Sequence, residues 1–113
     1  MKQHMSPEEF AEVMQDAEIL DVRTPMEYQQ GHIPGARNVD IAGPDFMDTI
    51  SSLDRSRPYA LYCRSGSRSG MAIQLMNQLG FEAAGHLETG LLDWNRELVS
   101  GSEEVGAERQ SEG

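Results

Sequence analysis

The run Tyr59-Ala60-Leu61-Tyr62-Cys63 is nearly free of polar atoms and stops at a loop of glycine, serine and arginine. The segment after that loop has helical apolar spacing. The run is too short and too rich in aromatic residues for a buried helix, so it reads as a buried strand. Beyond the loop, Ala72, Leu75, Met76 and Leu79 share one helical face, and Gly80 sits where a C-terminal cap belongs. Short apolar strands that alternate with amphipathic helices imply a parallel sheet covered on both faces, because each helix buries its stripe against the sheet.

The rest of the chain repeats this alternation. Ser6-Pro7-Glu8-Glu9 has a Ser N-cap, a Pro in the first turn and a Glu that completes a capping box; Phe10, Val13 and Met14 then fall on one face. Ile19–Val22 reads as a short buried strand, and Pro25 opens a helix through Tyr28 that Gly31 ends. Residues 31–36 are rich in turn formers and lead to an extended stretch at Asn38–Ile41. Gly43-Pro44-Asp45 restarts a helix with Phe46, Ile50 and Leu53 facing inward. Ala83–Leu87 is expected as a last strand and Leu91–Leu98 as a closing helix, with Trp94 in the core. The fold class is α/β: a central parallel sheet of about five short strands with helices on both faces.

Composition bounds the domain and its partners. The 113 residues fit one domain, and the apolar share of 38% is low for a globular chain. The deficit lies in residues 100–113, where Val105 is the one aliphatic side chain larger than alanine. That segment is expected to be a disordered acidic tail, which places the folding unit at residues 1–99. A formal charge of −10 disfavours nucleic acid and anionic membranes as partners. One cysteine excludes an internal disulfide or a Cys-x-x-Cys pair. No apolar stretch of a secretory leader follows Lys2, so the expected setting is cytoplasmic. No cofactor and no metal are expected.

Chemistry concentrates between Cys63 and Gly70. Ligands of open parallel sheets bind beyond the carboxyl ends of the strands, which is where Cys63 falls. A loop of small residues there can turn successive N–H groups toward one point, and the N-terminus of the following helix adds positive potential on that side. Both favour a thiolate, and Arg64 and Arg68 add full charges. Cysteine is often simply buried, but packing gives no reason for two arginines, three serines and two glycines in the next seven residues. Cys63 is therefore read as an activated nucleophile inside an anion cradle.

Asp21-Val22-Arg23-Thr24-Pro25, Glu27-Tyr28, Gly31-His32-Ile33-Pro34-Gly35-Ala36, Cys63-Arg64-Ser65-Gly66-Ser67-Arg68, and Leu87-Glu88-Thr89-Gly90 with Trp94 occur in one register. In that order and spacing the chain resembles the rhodanese family across about residues 6–98. The resemblance implies a single rhodanese domain with an active-site loop from Cys63 to Arg68. In that family the cysteine attacks the outer sulfur of a donor such as thiosulfate, sulfite leaves, and the resulting persulfide passes its terminal sulfur to cyanide or a thiol. Cys63 is then the catalytic residue, and Arg64, Ser65, Gly66, Ser67 and Arg68 bind substrate. Arg23 matches an arginine that contacts the donor in some relatives; a salt bridge to Glu27 is the structural alternative. Asp21 is expected to support the strand end by bonding to backbone or an arginine. His32 is expected to pack, since sulfur transfer to a thiolate needs no general base. Ser65 stands where the mitochondrial thiosulfate enzymes have lysine, and Thr89 replaces the first glycine of the closing pair.

The rival readings are a phosphatase or arsenate reductase of the related fold, a binding module, and a persulfide carrier fed by a protein donor. The first needs five residues between cysteine and arginine; here four intervene and Ser69 occupies the arginine's place. A single cysteine requires an external acceptor, a small thiol or a thioredoxin-like protein, and a lone domain of this size is expected to be a monomer.

Overall fold

Two helix starts are encoded as capping boxes. The Ser6 and Thr24 hydroxyls accept from the amides of Glu9 and Glu27, whose carboxylates accept in return from the Ser6 and Thr24 amides; proline follows each cap. They open α1 (Pro7–Val13) and α2 (Pro25–Gln30) in the computed structural model, which describes residues 1–101. Two further helices, α3 (Phe46–Ser51) and α4 (Ser67–Gln78), and a short 3-10 helix at Gly90–Asp93 complete the helical elements among the described residues. The strands are β1 (His4–Met5), β2 (Glu18–Asp21), β3 (Arg37–Asn38), β4 (Pro58–Tyr62) and β5 (Ala83–Leu87). They form one five-stranded sheet in the order β1-β5-β4-β2-β3, with every pairing parallel.

Strand order and layering follow from one another. The connections β1→β2 and β2→β3 run toward one edge, while β3→β4 and β4→β5 run back toward the other. Parallel crossovers share one handedness, so the two sets of helices belong on opposite faces. The core is divided that way. Leu20, Tyr59, Leu61 and Cys63 pack with Phe46 and Ile50 of α3 and Ala72, Ile73 and Met76 of α4. Ile19, Ala60, Tyr62 and Leu87 pack with Phe10 of α1 and Tyr28 of α2. Alternate residues of each strand thus serve opposite layers, which is why the strands are apolar throughout instead of alternating.

One strand was not expected, and two expectations are corrected. His4–Met5 forms an edge strand against His86–Leu87, although two residues are too few to leave a periodic signal. The closing helix expected over Leu91–Leu98 is only the 3-10 turn to Asp93. Trp94 is already extended (φ −109°, ψ 122°), and the chain runs on until Val99 exchanges two backbone hydrogen bonds with His32. The expected strand at 38–41 pairs formally only over Arg37–Asn38, though the Val39 and Ile41 amides still donate to Asp21 and Val22 carbonyls. Trp94 packs edge-on against Phe10, with ring centroids 5.7 Å apart. The expected tail, past residue 101, lies outside the described residues. No helix among the described residues is long and apolar enough to cross a membrane.

Candidate active site

β2 and β4 are neighbours, yet the helices that follow them lie on opposite faces, so the crevice of this sheet opens between their carboxyl ends. Cys63 is the first residue past β4 at that point and is fully buried. The loop beyond it turns at Gly66, in the left-handed region at φ 102°, and α4 begins at the next residue. The turn brings the Gly66 amide to 3.0 Å and the Ser69 amide to 3.4 Å from Cys63 Sγ. Ser69 lies in the first turn of α4, where amides have no partner within the helix, so its N–H is free to donate to sulfur. The Ser69 hydroxyl stands 3.5 Å from the same atom. Burial pushes the thiol pKa up, but the Ser69 hydroxyl and the amides of Ser69, Gly66 and Ser65 outweigh it and hold Cys63 below its ordinary value.

The end of β5 supports this loop from behind. The Leu91 and Leu92 amides donate to the Cys63 and Arg64 carbonyls. Gly90 (φ 67°) passes so close that a Cβ there would lie 2.3 Å from the Arg64 carbonyl oxygen. Thr89 has an ordinary φ of −97°, so the position needs no glycine.

The expected site residues divide into groups. Gly66 and Ser65 contribute amides to the sulfur, while the Arg64, Ser65 and Ser67 side chains are exposed on the loop. Arg68, expected to bind substrate, is engaged in an ion pair. Its two terminal nitrogens grip the Glu27 carboxylate at 2.8 and 3.0 Å, tying α4 to α2 across the crevice, so its charge reaches Cys63 only as a field. For Arg23 the salt-bridge alternative is corrected, from Glu27 to Asp21. It is 6% exposed, with Nε and Nη2 committed to the fully buried Asp21 and Nη2 also donating to the Gly31 carbonyl; its ion-pair partner is Asp21, and Glu27 is taken by Arg68. Asp21 holds the strand end together, accepting from both the backbone and the side chain of Arg23. His32 is buried, stacked on the Tyr28 ring at 3.6 Å, with Nδ1 2.7 Å from the Tyr28 carbonyl. Sequence reasoning missed Ser69 as a contact of the sulfur. Its only signal was its place six residues after the cysteine, one helical turn into α4.

The Rhodanese-like domain family matches residues 6–97. This chain belongs to that family. Among its rhodanese-like relatives, the uncharacterized protein YqhL of Bacillus subtilis is 31% identical over 94 residues, 83% of this chain and 73% of that protein. The thiosulfate sulfurtransferase GlpE of Pseudomonas paraeruginosa is 30% identical over 93 residues, 81% of this chain and 83% of that protein. Other relatives are longer, and the chain spans as little as 20% of them. A rhodanese-related protein of Thermoplasma volcanium superposes with a TM-score of 0.78 at 27% identity, covering 87% of this chain and 98% of that one.

The bidentate Arg68 pair gives this rhodanese-like domain a pH signature. Hydrogen bonding from Arg68 holds the Glu27 carboxyl at about 2, against an ordinary 4.5. A carboxylate with a depressed folded-state pKa contributes stability that is complete above its unfolded value and lost as pH falls through the folded one. Stability is therefore expected to decline between pH 4.5 and about 2. In Glu27→Gln, acid titration of unfolding free energy should lose that part of the slope; superimposable curves would remove the pair from the account.

Proposed function

We propose that this rhodanese-like domain is a sulfurtransferase that carries sulfane sulfur as a persulfide on Cys63, from a small anionic donor such as thiosulfate to a thiol acceptor. The observation that carries the reading is the convergence of the Gly66 and Ser69 amides on the buried Cys63 sulfur. Such a nest favours the thiolate before reaction and the persulfide anion after it. The Cys63 thiolate attacks the outer sulfur of thiosulfate, the S–S bond breaks, and its electron pair leaves with sulfite. The acceptor thiolate then attacks the terminal sulfur and Cys63 departs as thiolate. Arg64, the exposed cation of the loop, draws in the anionic donor against the overall charge of −10. With one cysteine in the chain, the acceptor is external: a small thiol or a thioredoxin-like protein of a reducing cytoplasm. The name of GlpE supports thiosulfate as donor, and the commitment of Arg68 to Glu27 weighs against an oxyanion-gripping phosphatase.

The test is thiocyanate formation from thiosulfate and cyanide by the wild type and by Cys63→Ser. Turnover in the wild type is expected, with loss to background in the variant. A folded wild type without turnover overturns the thiosulfate assignment and directs attention to a protein donor.

A further inference from the structure

Ser69 is the first link of a chain of polar contacts that leads away from Cys63. Its hydroxyl lies 2.7 Å from His86 Nδ1, and His86 Nε2 lies 3.0 Å from His4 Nδ1. His86 is 3% exposed on β5, whereas His4, its register partner on the edge strand β1, is exposed. Sulfur transfer as described above leaves both imidazoles unused. The Ser69 hydroxyl also lies 3.4 Å from the Gly66 carbonyl, but its one proton is better placed toward the nearer His86 Nδ1, and one assignment of hydrogens then links the four side chains. The Cys63 thiol donates to Ser69 Oγ, the Ser69 hydroxyl to His86 Nδ1, and His86 Nε2–H to His4 Nδ1.

We propose that His86 takes the Cys63 proton through Ser69 and that His4 passes it to solvent, making the two histidines positioning residues for the activation of Cys63. This deepens the sulfurtransferase reading and rests on it for its purpose. The S–H bond of Cys63 breaks as its proton goes to Ser69 Oγ, and the proton already on Ser69 moves to His86 Nδ1. His86 Nε2–H then passes to His4 Nδ1, and the proton on His4 Nε2 leaves to water. A thiolate remains, no electrons change hands, and the original tautomers return by reverse rotation and exchange. While His86 is an imidazolium, its Nδ1–H donates to Ser69 and frees the hydroxyl to donate to the thiolate, so the two charges stabilise each other.

The groups around His86 fit this role. The α4 helix presents Ser69 and Gly70, and a Cβ on Gly70 would already touch the imidazole at 3.4 Å, so the ring packs against nearly bare backbone. The titratable groups whose charge reaches it are His4 on β1 and Glu88 just beyond β5, with Cys63 at the end of β4 linked through Ser69. Burial, then His4, hold His86 below the ordinary imidazole value while Glu88 opposes them, which leaves Nδ1 open to accept a proton at neutral pH.

The test uses the full chain and no sulfur donor. Iodoacetamide alkylation of Cys63 is followed against pH in the wild type, His86→Asn and His4→Gln, and the His86 ring is titrated by NMR in the wild type and Cys63→Ser. Asparagine keeps an acceptor for Ser69 but cannot be protonated. Alkylation at pH 7 is expected to slow about tenfold in His86→Asn, the effect of a one-unit rise in a thiol pKa on the thiolate fraction below it, with loss of the inflection due to His86. His4→Gln should slow it less. The His86 midpoint should fall in Cys63→Ser, because coupling between two titrating sites is reciprocal. Unchanged alkylation profiles together with an unmoved His86 midpoint overturn the proposal. If His86→Asn does not fold, the surface variant His4→Gln and the titration in Cys63→Ser decide in its place. Coupling without thiocyanate turnover would sink the transfer reading and keep the relay; turnover without coupling would do the reverse.

Discussion

Gly66→Ala is expected to abolish thiocyanate formation and to destabilise the domain by about 3 kcal/mol or more. Two costs coincide at this position. The backbone sits at φ 102°, where an L side chain is strained by about 1–3 kcal/mol. A Cβ would also lie 1.9 Å from the Glu88 carbonyl oxygen, an overlap that only backbone movement relieves. Either the active-site loop or the end of β5 must shift, and each shift affects the sulfur. Moving the loop withdraws the Gly66 amide from Cys63. Moving residues 88–92 removes the amides that hold the Cys63 and Arg64 carbonyls. Denaturant unfolding and the thiocyanate assay on the same preparation check both parts. Wild-type stability with wild-type turnover would mean that the approach of loop to strand is soft and does not set the site.

Asp21→Ala is expected to cost about 3–5 kcal/mol, the range for breaking a buried ion pair by removing one partner. Asp21 is fully buried and Arg23 nearly so. Removing the carboxylate leaves a buried guanidinium with the Gly31 carbonyl and the Tyr62 side chain but no counter-charge bonded to it, and also deprives the Arg23 amide of its acceptor. Asp21→Asn keeps an acceptor and loses only the charge, so it should fall between wild type and Asp21→Ala. The loss should appear in unfolding free energy first. Cys63 alkylation in the folded fraction should change little, since neither Asp21 nor Arg23 bonds the sulfur. Equal stability of Asp21→Ala and wild type would place the pair in contact with water and return Arg23 to consideration as a ligand of the donor.

The sequence by itself determined the elements that carry local chemistry. Capping boxes fixed α1 and α2 because Ser6, Thr24, Glu9 and Glu27 close their hydrogen bonds within three residues. The strand into Cys63 and the glycine turn after it were legible for the same reason: an apolar run and a small-residue loop are local properties. The partners of the charged side chains were not legible. Arg23 had a carboxylate on either side, Asp21 two residues back and Glu27 four residues on; it bonds Asp21, while Glu27 reaches 41 residues on to Arg68. The long-range half of that choice, Glu27 with Arg68, depends on the adjacency of β2 and β4, which follows from the direction of the crossovers and not from spacing. His4 and His86 are 82 residues apart and meet only because β1 adds to the sheet beside β5. The nucleophile and its loop are thus local and visible in the chain. What surrounds them belongs to the strand order, since only the sheet brings distant side chains within hydrogen-bonding reach.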